Sequence, residues 1–166
     1  MKIEFTTALD QKAGIIVDLL KRSYAKLFSS VPQYWSQEIA NWEEFNRNVV
    51  QFPDTVGACT FLTWWDGRLV GLGSYDNRPR THWGIIGHNC ILPEFRGRGI
   101  GKQQIREILH RFNTMKIILA KVSTNDHPFF IPAQRMYQAL GFRETRRVPW
   151  ERNPEINIIE YEKRLC

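Results

Sequence analysis

The chain has 166 residues, 43% of them hydrophobic and 24% charged, with a formal net charge of +6 at pH 7. That composition is ordinary for a soluble globular protein, and the length suits one domain, 1–166, with a real core. No apolar run approaches the ~18 residues of a membrane span, which argues against a membrane protein.

The three cysteines, Cys59, Cys90 and Cys166, are odd in number and lack CxxC or metal-ligand spacing. The opening MKIEFTTALD lacks the apolar core of a signal peptide. Both features lead us to expect a reducing cytoplasm and no metal. The positive charge makes an acidic or phosphorylated partner worth considering. Its cations are scattered, however, with denser groups only at 96–102 and at Arg143, Arg146 and Arg147. A solvated basic surface explains this more simply than nucleic-acid binding does.

In chain order, residues 2–6 (KIEFT) alternate like a short strand. Asp10 is the candidate start of a helix in which Ile16, Leu19, Leu20, Ser23, Tyr24 and Leu27 share a face. Trp35, Ile39, Trp42 and Val49 recur at helical spacing and predict a second helix from about Gln33 to Val50, ended by Phe52-Pro53-Asp54. TFLTWW and RLVGLGSY flank Asp66-Gly67, the signature of a hairpin with a two-residue type I′ turn.

A third strand is expected at about 82–92, followed by a glycine-rich stretch and a helix over 101–112. KIILAKVST (116–124) reads as a buried strand. Pro132 opens a helix with Ala133, Met136, Tyr137 and Leu140 on one face and Gly141 as its C′ residue. Strands around 142–149 and 156–164 finish the chain. Interspersed strands and helices imply an α/β or α+β class with a mixed sheet.

The stretch EFRGRGIGKQQ (94–104) stands where a strand ends and a helix begins. A helix start presents N–H groups without intrahelical partners, and glycine lets an anion approach them closely. It is not a P-loop, because that spacing puts Arg96 at the first glycine and Gln103 at the last Ser or Thr. Nor is it a dinucleotide fingerprint, since Gly97, Gly99 and Gly101 give GxGxG rather than GxGxxG.

Arg96, Gly99 and Gly101 do satisfy R-x-x-G-x-G, after an apolar strand and Leu92-Pro93-Glu94-Phe95. The segment resembles the pyrophosphate loop of the GNAT superfamily of acyl-CoA-dependent N-acetyltransferases. A second, independent match is Ala133, Tyr137 and Gly141-Phe142, which fits that family's A-x-x-x-Y-x-x-x-G-F. The resemblance covers roughly residues 55–162. It implies a mixed central sheet of about six to seven strands with about four helices, and acetyl-CoA as cosubstrate without a metal. The reaction implied is direct attack of an amine on the thioester.

The same resemblance assigns roles. Backbone amides of Arg96, Gly97, Arg98, Gly99, Ile100, Gly101 and Lys102 would hold the pyrophosphate, with the side chains of Arg98 and Lys102 either adding charge or simply solvated. Ile91 and Leu92, ending a splayed fourth strand, would offer backbone groups to the pantetheine arm and acetyl carbonyl. Tyr137 would donate to the departing thiolate, its alternative being a core aromatic.

Two departures stand out. Phe130 occupies the position, seven residues before the tyrosine, where the family often has Asn; Asn125 could take over a pantetheine contact. The fourth-strand glutamate that often serves as base is also missing, the region being Gly84-Ile85-Ile86-Gly87. His88 is one residue out of phase and reads as structural, while His88, Tyr75 and main-chain carbonyls are candidate ends of a water chain. Cys90 reads as a buried thiol rather than an acyl carrier, and His127 as a turn residue.

The resemblance implies that the segment VPQYWSQEIANW (31–42) shapes the acceptor pocket, whose aromatics point to a partly apolar acceptor, the alternative being that Trp35 and Trp42 are simply core. The resemblance implies an amine acceptor, of a small molecule or a protein. A non-catalytic acyl-CoA-binding module, and acylation of an RNA- or ribosome-associated amine, are the rival readings. The oligomeric state stays open, a homodimer included.

Overall fold

A computed structural model describes residues 1–30, 32–78 and 82–165, with residue 34 described by its backbone alone. Val31 and the side chain of residue 34, within the 31–42 segment, and Cys166 lie outside the described residues. The elements run β1 (Ile3–Thr7), α1 (Ile15–Ser30), α2 (Pro32–Gln51), β2 (Thr60–Trp65), β3 (Arg68–Asp76), β4 (Trp83–Ile91), α3 (Ile100–Thr114), β5 (Leu119–Asn125), α4 (Ile131–Ala139), β6 (Arg143–Trp150) and β7 (Asn153–Arg164). The seven strands are hydrogen-bonded in the order β1-β2-β3-β4-β5-β7-β6. The sheet is mixed, as the alternating element pattern predicts. The chain divides into two compact units, Met1–Tyr75 with His88–Ile105 and Asp76–Gly87 with Arg106–Cys166.

In the first unit, β1 pairs antiparallel with β2 (Phe5↔Thr63) and β2 with β3 (Leu62↔Leu72). The hairpin turn has Asp66 at φ 46° and Gly67 at φ 76°, the two positive values that a type I′ turn demands. Ile16, Leu19 and Leu20 of α1 meet Trp42 and Val49 of α2, together with Leu62, Leu72, Cys90 and Leu92, in one buried cluster. Each such side chain contributes about 1.5–3 kcal/mol through the hydrophobic effect. The first helix starts at Ile15 rather than Asp10. Gly14, at φ 83°, cannot belong to a right-handed helix, so the helix can begin only after it.

In the second unit, β5 and β6 both pair antiparallel with β7 (Val122↔Tyr161, Val148↔Ile158), and the start of β4 runs parallel to β5 (Trp83↔Leu119, Ile85↔Lys121). The strand expected from 116 begins at Leu119. The reason is how α3 ends. Lys116 takes φ 59°, its N–H donates to the Asn113 carbonyl, and the Ile117 N–H donates to that of Phe112, each at 3.0 Å. This is a Schellman cap with a lysine in the left-handed position, and it uses 116–117 to leave the helix.

Helix α4 ends the same way around Gly141 (φ 85°). The Gly141 N–H donates to Gln138 O, and the Phe142 N–H to Tyr137 O. Lys163 Nζ donates to the Leu140 carbonyl at 2.6 Å, adding a cation to that helix end.

Candidate active site

The glycine segment belongs to the first unit. Pro93–Phe95 make one 3₁₀ turn and Arg96 is extended (φ −68°, ψ 164°). Gly97 and Gly99 then adopt φ 74° and 79°, and α3 begins at Ile100. The Gln103 N–H donates to the Gly99 carbonyl at 3.2 Å, so Gly99 is the residue that caps α3. The N–H groups of Ile100, Gly101 and Lys102 therefore have no acceptor within the helix, and the helix dipole adds partial positive charge beside them. A Cβ placed on Gly97 or Gly99 would meet no heavy atom within 4 Å. The backbone here is open on the side that the missing side chains would fill, and phosphate oxygens fit such a cradle.

The arginine of the motif faces elsewhere. Arg96 Nε donates to the Ile91 carbonyl at 3.0 Å and Nη2 to the Ser23 carbonyl at 2.5 Å, tying the end of β4 to the middle of α1. The guanidinium of Arg98 lies over the Trp65 ring, 4.9 Å from its centroid, and Trp65 meets Phe95 edge-on at 5.7 Å. Lys102 is exposed. The Leu92 N–H is donated to Val70 O at 2.8 Å, and the Leu92 carbonyl accepts from Phe95 N–H at 3.0 Å. Both main-chain groups of Leu92 thus already bond within the protein.

One polar pair escaped the sequence reading. Thr63 Oγ1 donates to Gln104 Oε1 at 2.6 Å with both residues fully buried, so β2 holds the second turn of α3. They stand 41 positions apart, and no periodicity or motif links them.

In the second unit, Tyr137 is buried on α4, its ring 5.7 Å from Phe142 and 6.0 Å from Tyr161. Tyr137 and Phe142 are the C3 and C″ residues of the Schellman cap, the pair whose apolar contact accompanies that motif. Asn125 ends β5; its Oδ1 accepts the His127 N–H at 3.0 Å and its carbonyl accepts Gln134 Nε2 at 2.9 Å. His127 Nδ1 in turn accepts the Phe129 N–H at 3.1 Å, capping the 3₁₀ turn Pro128–Phe130.

His88 lies on β4 in the first unit, with its ring 4.6 Å from that of Phe45. Burial pushes its pKa below the usual value, and the charge of Glu38 only partly opposes that. Burial therefore favours the neutral imidazole. Cys90, also on β4, is fully buried, and burial pushes its thiol up to about 11 despite Ser23 and the Leu72 backbone. Among the described residues no group of three or more His, Cys, Asp or Glu side chains could hold a metal ion. Nor, among them, is any helix long and apolar enough to cross a membrane.

The family model and the solved structures agree. Solved structures share the fold along the whole chain. One is a GNAT-family protein from Desulfovibrio desulfuricans (TM-score 0.80, 15% identity, 99% of this chain and 100% of that one). The PaiA N-acetyltransferase of Thermoplasma acidophilum, solved in complex with coenzyme A, is similar at TM-score 0.74 and 14% identity, covering 99% and 100%. The ribosomal-protein alanine N-acetyltransferase of Escherichia coli is similar at 0.68 and 11%, covering 99% and 95%. At these identities the likeness speaks for the fold. Comparison with curated proteins gives no match. The family model described as acetyltransferase (GNAT) family matches residues 17–142, more than half of the chain and including both the glycine cradle and the Tyr137 cap. The chain belongs to the GNAT acetyltransferase family.

Proposed function

We propose that the protein is an N-acetyltransferase that moves an acetyl group from acetyl-CoA to a primary amine by direct attack. The observation that carries this is the open, left-handed glycine backbone at the start of α3, in a chain of this family. The amides from Gly97 to Lys102 bind the pyrophosphate, without the expected amide of Arg96, whose N–H donates to the Pro93 carbonyl at 3.2 Å, and helix α3 supplies the partial positive charge. Acetyl-CoA supplies an activated acyl group: the amine nitrogen forms a bond to the acetyl carbon, and the carbon–sulfur bond breaks.

Two protons must move. The Tyr137 phenol gives one to the leaving thiolate and recovers it from solvent. The amine gives the other to water, because the fourth strand offers no carboxylate. A covalent route through Cys90 is disfavoured, since a thiol titrating near 11 stays protonated at neutral pH. Neither Cys59 nor Cys90 forms a disulfide, in keeping with a reducing cytoplasm. The test is release of the coenzyme A thiol on mixing protein, acetyl-CoA and a panel of amines. Cofactor binding without turnover for any amine would favour a binding module instead.

A further inference from the structure

Helix α2 turns one stripe of side chains inward: Trp35, Ile39, Trp42, Phe45 and Val49. Glu38 belongs to that stripe, four positions before Trp42 and seven before Phe45, and it is half-buried. Glutamate is almost never placed among core-facing residues unless something satisfies it. Its Oε1 accepts a hydrogen bond from Asn41 Nδ2 at 3.3 Å, and its negative charge reaches His88 on β4.

The same helix, α1 and β4 also carry a set of rings. Phe45 packs against His88 at 4.6 Å with the planes at 45°. Trp42 lies 5.4 Å from Tyr24 and 5.3 Å from Phe28. The Tyr24 hydroxyl donates to the carbonyl of Asn89, the residue after His88, at 3.3 Å. Tyr24, Phe28 and Phe45 are only partly buried, so each keeps ring surface outside the core. All of these residues belong to the first unit, on α1, α2 and β4, and β4 is the strand that leads into the glycine cradle.

We infer that this corner receives the acceptor, and that the acceptor is an amine carried on an apolar or aromatic body. The Glu38 carboxylate draws the ammonium group, and the faces of Phe45 and His88 take the body. The ammonium sheds its proton to water before the nitrogen attacks, so proton balance is as in the mechanism above. This assignment rests on the acetyltransferase reading and narrows its substrate.

The test compares primary amines of similar basicity: phenethylamine, butylamine, ethanolamine and spermidine, with coenzyme A binding followed separately by calorimetry. We expect kcat/KM for phenethylamine to exceed that for ethanolamine by at least about tenfold, and Glu38→Gln to raise its KM by about tenfold with cofactor affinity unchanged. Phe45→Ala should narrow the gap between phenethylamine and ethanolamine. Equal use of ethanolamine or spermidine would overturn the inference, as would an unchanged KM in Glu38→Gln. If coenzyme A binds and none of the four amines is acetylated, this assignment fails and the cofactor site stands. If coenzyme A does not bind, the acetyltransferase reading fails and takes the assignment with it. Should Glu38→Gln not fold, the wild-type preference among the four amines decides.

Discussion

Gly99 offers the sharpest test of the cofactor site, because Gly14 provides a matched control. Both residues sit at left-handed φ, 79° and 83°, and at both a Cβ would meet nothing within 4 Å. Replacing either with valine therefore imposes the same backbone strain without a steric clash inside the protein. Holding a non-glycine residue there costs about 1–3 kcal/mol. At roughly 2–4 °C per kcal/mol for a chain of this size, Tm should fall by roughly 2–12 °C in both variants. The two should part company in binding. In Gly99→Val the new methyl groups enter the space where phosphate oxygens would meet the α3 amides. Losing one charge-assisted hydrogen bond costs about 1.5–3 kcal/mol, which is about a 10- to 150-fold rise in the Kd for coenzyme A. Gly14→Val should bind as wild type does once its lower Tm is respected. Calorimetry on both variants, below their transitions, gives the answer. Wild-type affinity in Gly99→Val would refute the reasoning, and so would an equal loss in Gly14→Val.

Tyr137→Phe keeps the ring that packs on Phe142 and Tyr161 and removes only the hydroxyl. We expect kcat to fall on the order of ten- to a hundredfold with Tm nearly unchanged, at or just below the lower end of the ~10²–10⁴ that general acid catalysis supplies. Mass spectrometry after incubation with acetyl-CoA alone should find no acetyl group on Cys90, and Cys90→Ala should still acetylate amines. The acidic limb of log kcat/KM should follow the acceptor's own pKa across a series of amines, in His88→Ala as in wild type. For stability, burial lowers His88 below its ordinary 6.5. The unfolded chain then binds the proton first as pH falls, so this contribution is complete above about pH 6.5 and declines below it. The drop in Tm between pH 7 and 5 should be smaller in His88→Gln.

Most of the architecture could be read from local chemistry. Asp66-Gly67 named its own turn type, and Gly141 after Tyr137 and Leu140 marked a helix end that proved to be a full Schellman cap. Where the reading slipped, a left-handed residue was responsible. Asp10 looked like a helix start because Gly14 gave no hint, from sequence, that its φ would be positive. Lys116 looked like strand because lysine seldom takes the position that glycine usually holds in such a cap. The glycine cradle was legible because its requirement is a backbone one, written directly in residue type. The side chains around it were not. That Arg96 reaches Ser23, 73 positions away, depends on where α1 comes to rest. That Glu38 faces inward could be counted from the spacing of Trp42 and Phe45, but charge alone assigns such a residue to solvent.

The cap at the end of α4 bears on what the tyrosine motif means. The Phe142 N–H bonded to the Tyr137 carbonyl, the contact between their rings and the left-handed Gly141 together form one backbone device that stops the helix and launches β6. Every consonant of A-x-x-x-Y-x-x-x-G-F after the alanine is spoken for by that device before any chemistry is asked of it. A descendant that lost the power to transfer acyl groups would still need an aromatic ring, a glycine and a phenylalanine at these places merely to fold. The phenolic oxygen takes no part in that cap. On the proposed mechanism, a change of this tyrosine to phenylalanine in a related chain would mark a weakened or lost enzyme inside an intact fold, whereas persistence of the rest of the motif would testify to architecture alone.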